Sequence, residues 1–306
     1  DTRLWSAFEE QALGMREHRE NQRFLPGVPL PEALWIHHDP AEALADTTLV
    51  VAAVPTQFIS DTLSPLADLL PQEAVLVSVA KGIEVGTGRR PSVITAAALV
   101  CAGRVVVMAG PSHAEEVARG LPAALVAAGS DPESTSFVQE AFTSEILRVY
   151  PSGDAEGVEL CGALKNVVAI AAGISDGLGL GDNSKAALVA RGLAEMARLG
   201  EERGALRETF YGLAGTGDLV TTCASAHGRN RAFGEAVGSG LTVEQALDSL
   251  PGVAEGVETC RALAGDPTLA DLELPITREV HAILFEAKEP RQAVADLMAR
   301  PLAGAE

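Results

Sequence analysis

The sequence predicts an α/β domain on a doubly wound, mostly parallel sheet, followed by an all-helical C-terminal domain. Residues 1–152 alternate short apolar runs with helical patterns, which is typical of strands joined by helices. These runs are apolar on both faces, as parallel strands covered by helices on both sides require. Beyond Gly153 long amphipathic helical patterns replace them. The predicted domains are therefore residues 1–152 and 153–306.

The individual elements follow from the same patterns. The connections between the predicted strands are long enough for right-handed crossovers, and hence for a doubly wound sheet. In the second half the clearest helical patterns are Val158–Ile174 and Ser184–Gly204, and Tyr150–Gly153 has the composition of a linker. The predicted strands are Thr2–Trp5, Thr47–Val54, Ala74–Val79, Arg104–Ala109 and Ala123–Ala128.

The charge balance narrows the classes of partner. The chain has 23 basic and 42 acidic residues, a formal net charge of −19. Such a surface repels phosphate backbones and anionic lipid, so we expect no nucleic-acid partner. A small phosphorylated substrate remains compatible, because a few cations in a cleft can focus the local field.

The cysteines indicate the cellular compartment. None of the four forms a CxxC pair, and no histidine lies beside them at metal-ligand spacing. The apolar run Val93–Ala102 is too short to cross a bilayer, and no signal-like segment opens the chain. We therefore expect a reduced, cytoplasmic protein without a metal site or membrane insertion.

Lys165 and Asn166 form the most distinctive candidate catalytic site in the sequence. They lie in the stretch GVELCGALKNVVAIAAGI, where almost every neighbour is apolar or small. Burial disfavours the charged form of a lysine and lowers its pKa toward neutrality, which suits a general base. Asn166 could then hold a substrate hydroxyl. The alternative is that Lys165 extends along the apolar surface to reach water.

Two predicted strand ends carry residues suited to an anion. Lys81 follows one strand and Gly110-Pro111-Ser112 follows another. Ligands of open α/β sheets bind at the carboxyl ends of the strands, so Lys81 could meet an anion. The Gly110 turn leads into a helix whose N-terminus could face phosphate. Alternatively, Lys81 is a solvated turn residue and Ser112 is a helix N-cap.

The second half adds a carboxylate and a guanidinium. Asp218 ends GTGD, which we expect to be a glycine-rich turn, and it could pair there with a buried lysine, accept a hydrogen bond from a substrate hydroxyl, or cap the next helix. Arg229 in GRNR offers a planar group for bidentate phosphate binding, unless it lies on a solvated helix end.

Taken together, these motifs resemble the NAD(P)-dependent glycerol-3-phosphate dehydrogenases of the bacterial type. The order of the KN segment, the GTGDL segment and the RNR segment is specific, although the single pieces are not. The resemblance covers essentially the whole chain from Leu4, and its clearest parts are KGIE at Lys81–Glu84, GPSHAEE at Gly110–Glu116, the segment Gly157–Gly200, GLAGTGDLVTTC at Gly212–Cys223, GRNRAFG at Gly228–Gly234 and VAEGVET at Val253–Thr259.

The resemblance implies a Rossmann-like sheet and a role for each matching residue. Lys165 matches the proton acceptor of the family. The family usually has serine at position 228, so Gly228 could keep only a backbone contact. The other substrate-contacting positions are Lys81, Gly110, Ser112, Asn166, Asp218, Arg229 and Asn230. Positions near the nicotinamide cofactor are Lys81, Ala114, Arg229, Val253 and Glu255.

The implied function is interconversion of sn-glycerol 3-phosphate and dihydroxyacetone phosphate by hydride transfer with NAD or NADP, supplying phospholipid synthesis, in a homodimer. The segment Ser6–Glu10 is acidic and favours NAD. One alternative is a two-domain hydroxy-acid dehydrogenase. The other is a non-catalytic binding protein lacking its cofactor cradle, because the chain has no G-x-G-x-x-G fingerprint. We expect a truncated chain that lacks the first βα unit.

Overall fold

The computed structural model describes residues 1–99, 104–226, 228–250, 252 and 254–301. The chain divides into two compact units. Unit 1 comprises Asp1–Ala80 and Pro91–Ala155, and unit 2 comprises Lys81–Arg90 and Glu156–Glu306. The short segment Lys81–Arg90 therefore groups with the second unit, although the chain on either side of it belongs to the first.

Unit 1 is built around a sheet with the strand order β5-β6-β7-β8-β9, in which only the β7–β8 pairing is antiparallel. A parallel pair, β1–β4, and an antiparallel pair, β2–β3, lie outside that sheet. The strands are β1 (Thr2–Trp5), β2 (Glu20–Asn21), β3 (Leu25–Pro29), β4 (Leu34–His37), β5 (Leu49–Ala52), β6 (Val75–Ser78), β7 (Val105–Ala109), β8 (Ala123–Ala128) and β9 (Leu147–Ser152).

Helices cover both faces of this sheet, as predicted. The helices of unit 1 are α1 (Glu9–His18), α2 (Pro40–Leu44), α3 (Ile59–Leu63), α4 (Pro91–Ala98), α5 (Ala114–Val117) and α6 (Pro132–Phe142). Leu76 of β6 packs with Ile59 of α3 and Ile94 of α4. Its neighbour Val77 points to the opposite face and packs with Val138 of α6. The apolar character of β6 on both faces follows from this arrangement.

The five predicted strands are present, but the prediction missed four others. The linker prediction for Tyr150–Gly153 was wrong for its first three residues, because β9 continues to Ser152. Pro151 disfavoured the interpretation of this segment as a strand, because proline cannot donate a hydrogen bond to a neighbouring strand. Proline is tolerated here because β9 lies at the edge of the sheet. Strand β4 spans only Leu34–His37, and β2 and β3 are similarly short, so their periodicity is too brief to read.

Unit 2 is helical, and beyond Ser152 the described residues contain no strand. Its helices are α7 (Ala155–Gly177), α8 (Gly181–Glu202), α9 (Arg207–Tyr211), α10 (Asp218–Ala224), α11 (Arg229–Gly238), α12 (Val243–Asp248), α13 (Glu255–Ala264), α14 (Pro275–Phe285) and α15 (Pro290–Met298). Within the described residues, α7 alone is long and apolar enough to cross a membrane, and its apolar window is entirely buried inside the protein.

Close contact between α7 and α11 depends on glycine. A Cβ on Gly173 of α7 would overlap the backbone carbonyl of Arg231, and a Cβ on Gly234 of α11 would overlap that of Ile170. Gly238 meets the backbone of α7 in the same way. The two helix backbones therefore touch, which brings the start of α11 beside the middle of α7.

Candidate active site

Lys165 lies in the middle of α7 and is only 4% exposed. Its ammonium Nζ donates a hydrogen bond to Thr222 Oγ1 at 2.8 Å and lies 2.5 Å from Asp218 Oδ1. The alternative in which Lys165 reaches water is therefore wrong. Burial lowers the pKa of Lys165 from 10.5 to about 8, helped by the nearby charge of Lys81 and opposed by Asp218.

Asp218 is the first residue of α10 and is buried. Its side chain does not cap that helix, so of the three predicted roles the capping role is excluded and the pairing with a buried lysine is present. The preceding GTG segment is not a turn as expected. Leu213–Gly217 form a π-helical segment that continues into α10, and a Cβ on Gly215 would overlap the Phe210 carbonyl oxygen.

The second carboxylate oxygen of Asp218 is buried and has no hydrogen-bond partner among the residues that the structure describes. The ammonium of Lys81 lies 3.9 Å away, within ion-pair range but beyond hydrogen-bond distance. Buried polar atoms without partners are rare in folded proteins. Asp218 Oδ2 is therefore a ready acceptor for the hydroxyl of a ligand.

Helix α11 begins with the three residues predicted to hold a phosphate. Gly228 is its N-cap, and Arg229 and Asn230 open the first turn, Arg229 exposed and Asn230 buried. Gly228 contributes no side-chain cap, so the first N–H groups of α11 lack that partner. Asn230 Oδ1 accepts a hydrogen bond from the Gly256 N–H at 3.0 Å.

Tight packing surrounds this helix start. A Cβ on Gly256 would lie 2.8 Å from both the Asn166 carbonyl oxygen and Asn230 Oδ1. Asn166, Asn230 and Gly256 therefore meet at one place, where the helices α7, α11 and α13 converge. Asn166 itself is buried, next to Lys165 in the chain.

Glu255 opens α13 and belongs to the same charged cluster. Burial raises its pKa, while the positive charges of Arg229, Lys81 and Lys165 act in the opposite direction. Four of the predicted site residues thus influence one another electrostatically within unit 2. Val253, the neighbouring predicted cofactor position, lies outside the described residues.

Three predicted site residues belong to unit 1: Gly110, Ser112 and Ala114. Gly110 directly follows β7 with a φ of +144°, and a Cβ there would lie 2.9 Å from the Ala124 carbonyl oxygen. Ser112 Oγ donates to the Gly110 carbonyl at 3.2 Å, and α5 begins at Ala114 with His113 as its N-cap. Ser112 is therefore not the N-cap that the alternative required.

The sequence reasoning missed Thr222. Its hydroxyl accepts from Lys165 Nζ and donates to the Asp218 carbonyl oxygen at 2.7 Å. It therefore holds Lys165 against the first turn of α10. Thr222 lies four residues after Asp218 and therefore on the same face of the helix. This spacing is the sequence signal that could have identified it.

Comparison with known proteins supports the same family. A family model described as the N-terminus of NAD-dependent glycerol-3-phosphate dehydrogenase matches residues 1–135. The model of the C-terminus of the same family matches residues 154–295. Together they cover most of both units.

Individual relatives agree with the family models. The chain is 45% identical over 300 residues to "Glycerol-3-phosphate dehydrogenase [NAD(P)+]" of Chlorobium phaeobacteroides, covering 97% of this chain and 90% of that one. It is 47% identical over 299 residues to the protein of the same name in Pelotomaculum thermopropionicum, covering 97% and 86%.

A solved structure matches as well. The crystal structure of glycerol-3-phosphate dehydrogenase from Coxiella burnetii superposes with a TM-score of 0.92 at 37% identity, covering 97% of this chain and 91% of that one. With both family models matched across these lengths, the chain belongs to the NAD(P)-dependent glycerol-3-phosphate dehydrogenase family.

Proposed function

We propose that the protein interconverts sn-glycerol 3-phosphate and dihydroxyacetone phosphate, with NAD or NADP as the hydride carrier. The observation that carries the proposal is the buried pair of Lys165 and Asp218, in which Asp218 Oδ2 still lacks a hydrogen-bond partner. A proton-transfer group and an empty hydroxyl acceptor side by side suit the C2 carbinol of glycerol 3-phosphate.

The residues present fit a dinucleotide cofactor. β5, β6 and β7 run parallel, so their carboxyl ends share one edge, where doubly wound sheets bind nucleotides. Gly110 ends β7 at this edge with a φ of +144°, and a Cβ there would meet the Ala124 carbonyl oxygen of β8, so the turn at this strand end requires glycine. We assign Ala114 in unit 1, and Lys81, Arg229, Val253 and Glu255 in unit 2, to cofactor binding. A nicotinamide dinucleotide held by these residues would supply the acceptor or donor of the hydride.

Lys165 handles the proton. A pKa of about 8 leaves both protonation states accessible near neutral pH. In the oxidation direction neutral Lys165 takes the proton of the C2 hydroxyl as the hydride leaves C2. In the reduction direction the ammonium returns a proton to the carbonyl oxygen. Thr222 and Asp218 orient the amine through two of its hydrogen-bonding directions.

Lys81, Asp218 and Asn166 orient the reacting carbon. The free Oδ2 of Asp218 accepts from a substrate hydroxyl, and the Lys81 ammonium polarises an oxygen on the same carbon framework. Positive charge near this oxygen also stabilises the alkoxide character that develops in the transition state. Asn166 supplies a further polar contact beside Lys165.

The phosphate lies at the start of α11. Arg229 provides a bidentate guanidinium, Asn230 an amide N–H donor, and Gly228 only its backbone. For Gly110 and Ser112 we propose substrate contact on the basis of the family resemblance. We propose that residues 1–152 form the dinucleotide-binding domain, apart from Lys81–Arg90, which group with unit 2, and that residues 153–306 form the substrate and catalytic domain.

The cellular role that fits this reaction is supply of glycerol 3-phosphate for phospholipid synthesis by a cytoplasmic homodimer. The net charge of −19 supports the absence of a nucleic-acid partner, and the burial of the whole apolar window of α7 supports the absence of membrane insertion.

The experiment is a parallel assay of the protein with dihydroxyacetone phosphate and either NADH or NADPH, and with a panel of 2-keto acids. Oxidation of the cofactor with dihydroxyacetone phosphate supports the proposal. Turnover of a keto acid instead would support the hydroxy-acid alternative, and no turnover with any substrate would support the non-catalytic one.

A further inference from the structure

A partly buried ion pair anchors the Lys81–Arg90 segment to the helix that carries Lys165, with the Arg90 side chain 21% exposed. Arg90 Nη1 lies 2.8 Å from Glu159 Oε2, and the Glu159 side chain is 1% exposed. Arg90 Nε lies 3.2 Å from Glu156 Oε1, whose side chain is 34% exposed. Both carboxylates belong to α7, and Glu159 precedes Lys165 by less than two helical turns.

The segment between Lys81 and Arg90 is closed on itself. The Glu84 N–H donates to the Arg89 carbonyl oxygen, and the Gly88 N–H donates to the Glu84 carbonyl oxygen, both at 3.0 Å. The Arg89 guanidinium binds the Glu84 carboxylate at 2.8 Å through two of its nitrogens. Ile83 is buried. Because these contacts hold the intervening loop in one conformation, a displacement of Arg90 would also displace Lys81.

Lys81 needs such an anchor. Its ammonium lies 3.9 Å from Asp218 Oδ2, and a partly exposed lysine at that distance is held only weakly by the pair itself. The backbone around Lys81 must therefore contribute to its position. Gly82 and Ile83, which follow it, are buried, so the chain near Lys81 is fixed by the same segment.

The Arg90–Glu159 pair is also not explained by stability alone. A buried ion pair loses much of its attraction to the cost of removing both charges from water, and apolar residues of similar volume often stabilise equally well. Buried pairs are best attested where they hold elements in register. We propose that Arg90 is a positioning residue, whose pair with Glu159 locks the Lys81–Arg90 segment onto α7 and so keeps the Lys81 ammonium beside Asp218 and Lys165.

This inference rests on the roles proposed above for Lys81 and Lys165, and Lys81→Met serves as its reference. Single removal of Arg90 would take the ion-pair partner away from the buried Glu159 carboxylate, which is costly, so the main variant is the double substitution Arg90→Met/Glu159→Leu, which removes both charges. Arg90→Lys keeps the charge but loses the planar fork, and provides a second variant with less risk to folding. Glu156→Gln removes only the more exposed carboxylate and is the matched control.

The readout is the pH profile of glycerol 3-phosphate oxidation by the enzyme, beside kcat/KM. The positive charge of Lys81 lowers the pKa of Lys165, so its displacement should shift the rising limb of the profile to higher pH. We expect the same direction of shift in Arg90→Met/Glu159→Leu as in Lys81→Met, with kcat/KM lower by about tenfold to a hundredfold. Glu156→Gln should stay within about twofold of the parent. When Lys81→Met is already present, adding Arg90→Met/Glu159→Leu should lower kcat/KM by less than about a further twofold, because both changes act through Lys81.

The failures are distinguishable. If Lys81→Met leaves kcat/KM and the pH profile unchanged, the proposed role of Lys81 is wrong. If Lys81→Met impairs the enzyme but folded Arg90→Met/Glu159→Leu keeps the parental pH profile, the positioning role is overturned. The positioning role is also overturned if Arg90→Lys is folded and keeps the parental pH profile. It is likewise overturned if the double substitution lowers kcat/KM by the same factor with and without Lys81→Met.

Discussion

The Lys165 ammonium and the Asp218 carboxylate form an ion pair with 2.5 Å between Nζ and Oδ1, and both side chains are at most 5% exposed. Two opposing effects set the pKa of Lys165. Burial and the charge of Lys81 lower it, whereas Asp218 raises it, and the balance is about 8. An isolated buried lysine would be neutral and a surface lysine would be fully charged, so only the combination serves both directions of a reversible proton transfer.

Replacement of Lys165 by Met should abolish most of the catalytic rate while preserving the fold. Met roughly keeps the length of the side chain and fills the apolar surroundings. Loss of a general base costs about 10²–10⁴-fold in rate. Steady-state kinetics should show the loss in kcat, with a much smaller change in substrate affinity.

Lys288→Met is the matched control for that substitution. Lys288 forms ion pairs with Glu279 and Asp296 and has no part in the proposed site. It should keep near-parental kinetics. A folded Lys165→Met enzyme with near-normal kcat would remove Lys165 as the base and leave Lys81 as the next candidate.

The pH dependence should follow the ionisation of Lys165. Oxidation requires its neutral form, so the oxidation rate should rise with pH through about 8, and reduction should fall over the same range. Asp218 favours the charged form, so Asp218→Asn should move this limb to lower pH as well as reduce the rate. Initial rates in both directions, measured across roughly two pH units on either side of that midpoint, test this. A shift to higher pH in Asp218→Asn would contradict the assignment.

Replacement of Arg229 by Lys should mainly raise the KM for the phosphorylated substrate. Lysine keeps the charge but cannot reproduce the bidentate fork. Loss of one charge-assisted hydrogen bond of ~1.5 kcal/mol corresponds to about tenfold in KM. Arg207→Lys is the control, since Arg207 is exposed and pairs with Glu201 on the surface. An unchanged KM for both substrate and cofactor would count against the role of Arg229.

Replacement of Gly234 by Ala should push α11 away from α7. The added methyl would overlap the Ile170 carbonyl, a backbone atom that cannot rotate aside. Overpacking of this kind costs about 1–3 kcal/mol of unfolding free energy, or more where backbone must move. Chemical denaturation measures this cost, and KM should rise because Arg229 and Asn230 move with α11.

Gly14→Ala in α1 is the matched control for the glycine prediction. A Cβ on Gly14 meets no atom within 4 Å, so alanine there should be neutral or stabilise by about 0.5–1 kcal/mol through its helix preference. Equal stability of Gly14→Ala and Gly234→Ala would show that the close approach of α7 and α11 is not required.

Local patterns of apolar and polar residues were sufficient to predict much of this fold. Val75, Leu76 and Val77 alternate between two covered faces, and an uninterrupted apolar run indicates that situation without any knowledge of neighbours. The same reasoning found Lys165, because a lysine among apolar residues on a long helix is unusual wherever the helix packs. Pro151 misled the prediction of β9, since edge position is a property of the sheet and not of the strand.

The sequence by itself therefore determined the two kinds of domain, the apolar helix around Lys165 and the set of candidate residues. The tertiary structure decided which residues meet: Asp218 pairs with Lys165 instead of capping α10, and Arg90, which the sequence did not single out, contacts Glu159, 69 residues away in the chain. The physical reason is that such pairs depend on how closely helices approach one another. The distance between two helices is set by the packing of backbone against backbone at residues such as Gly173 and Gly234. The spacing of apolar residues in the sequence does not indicate that distance.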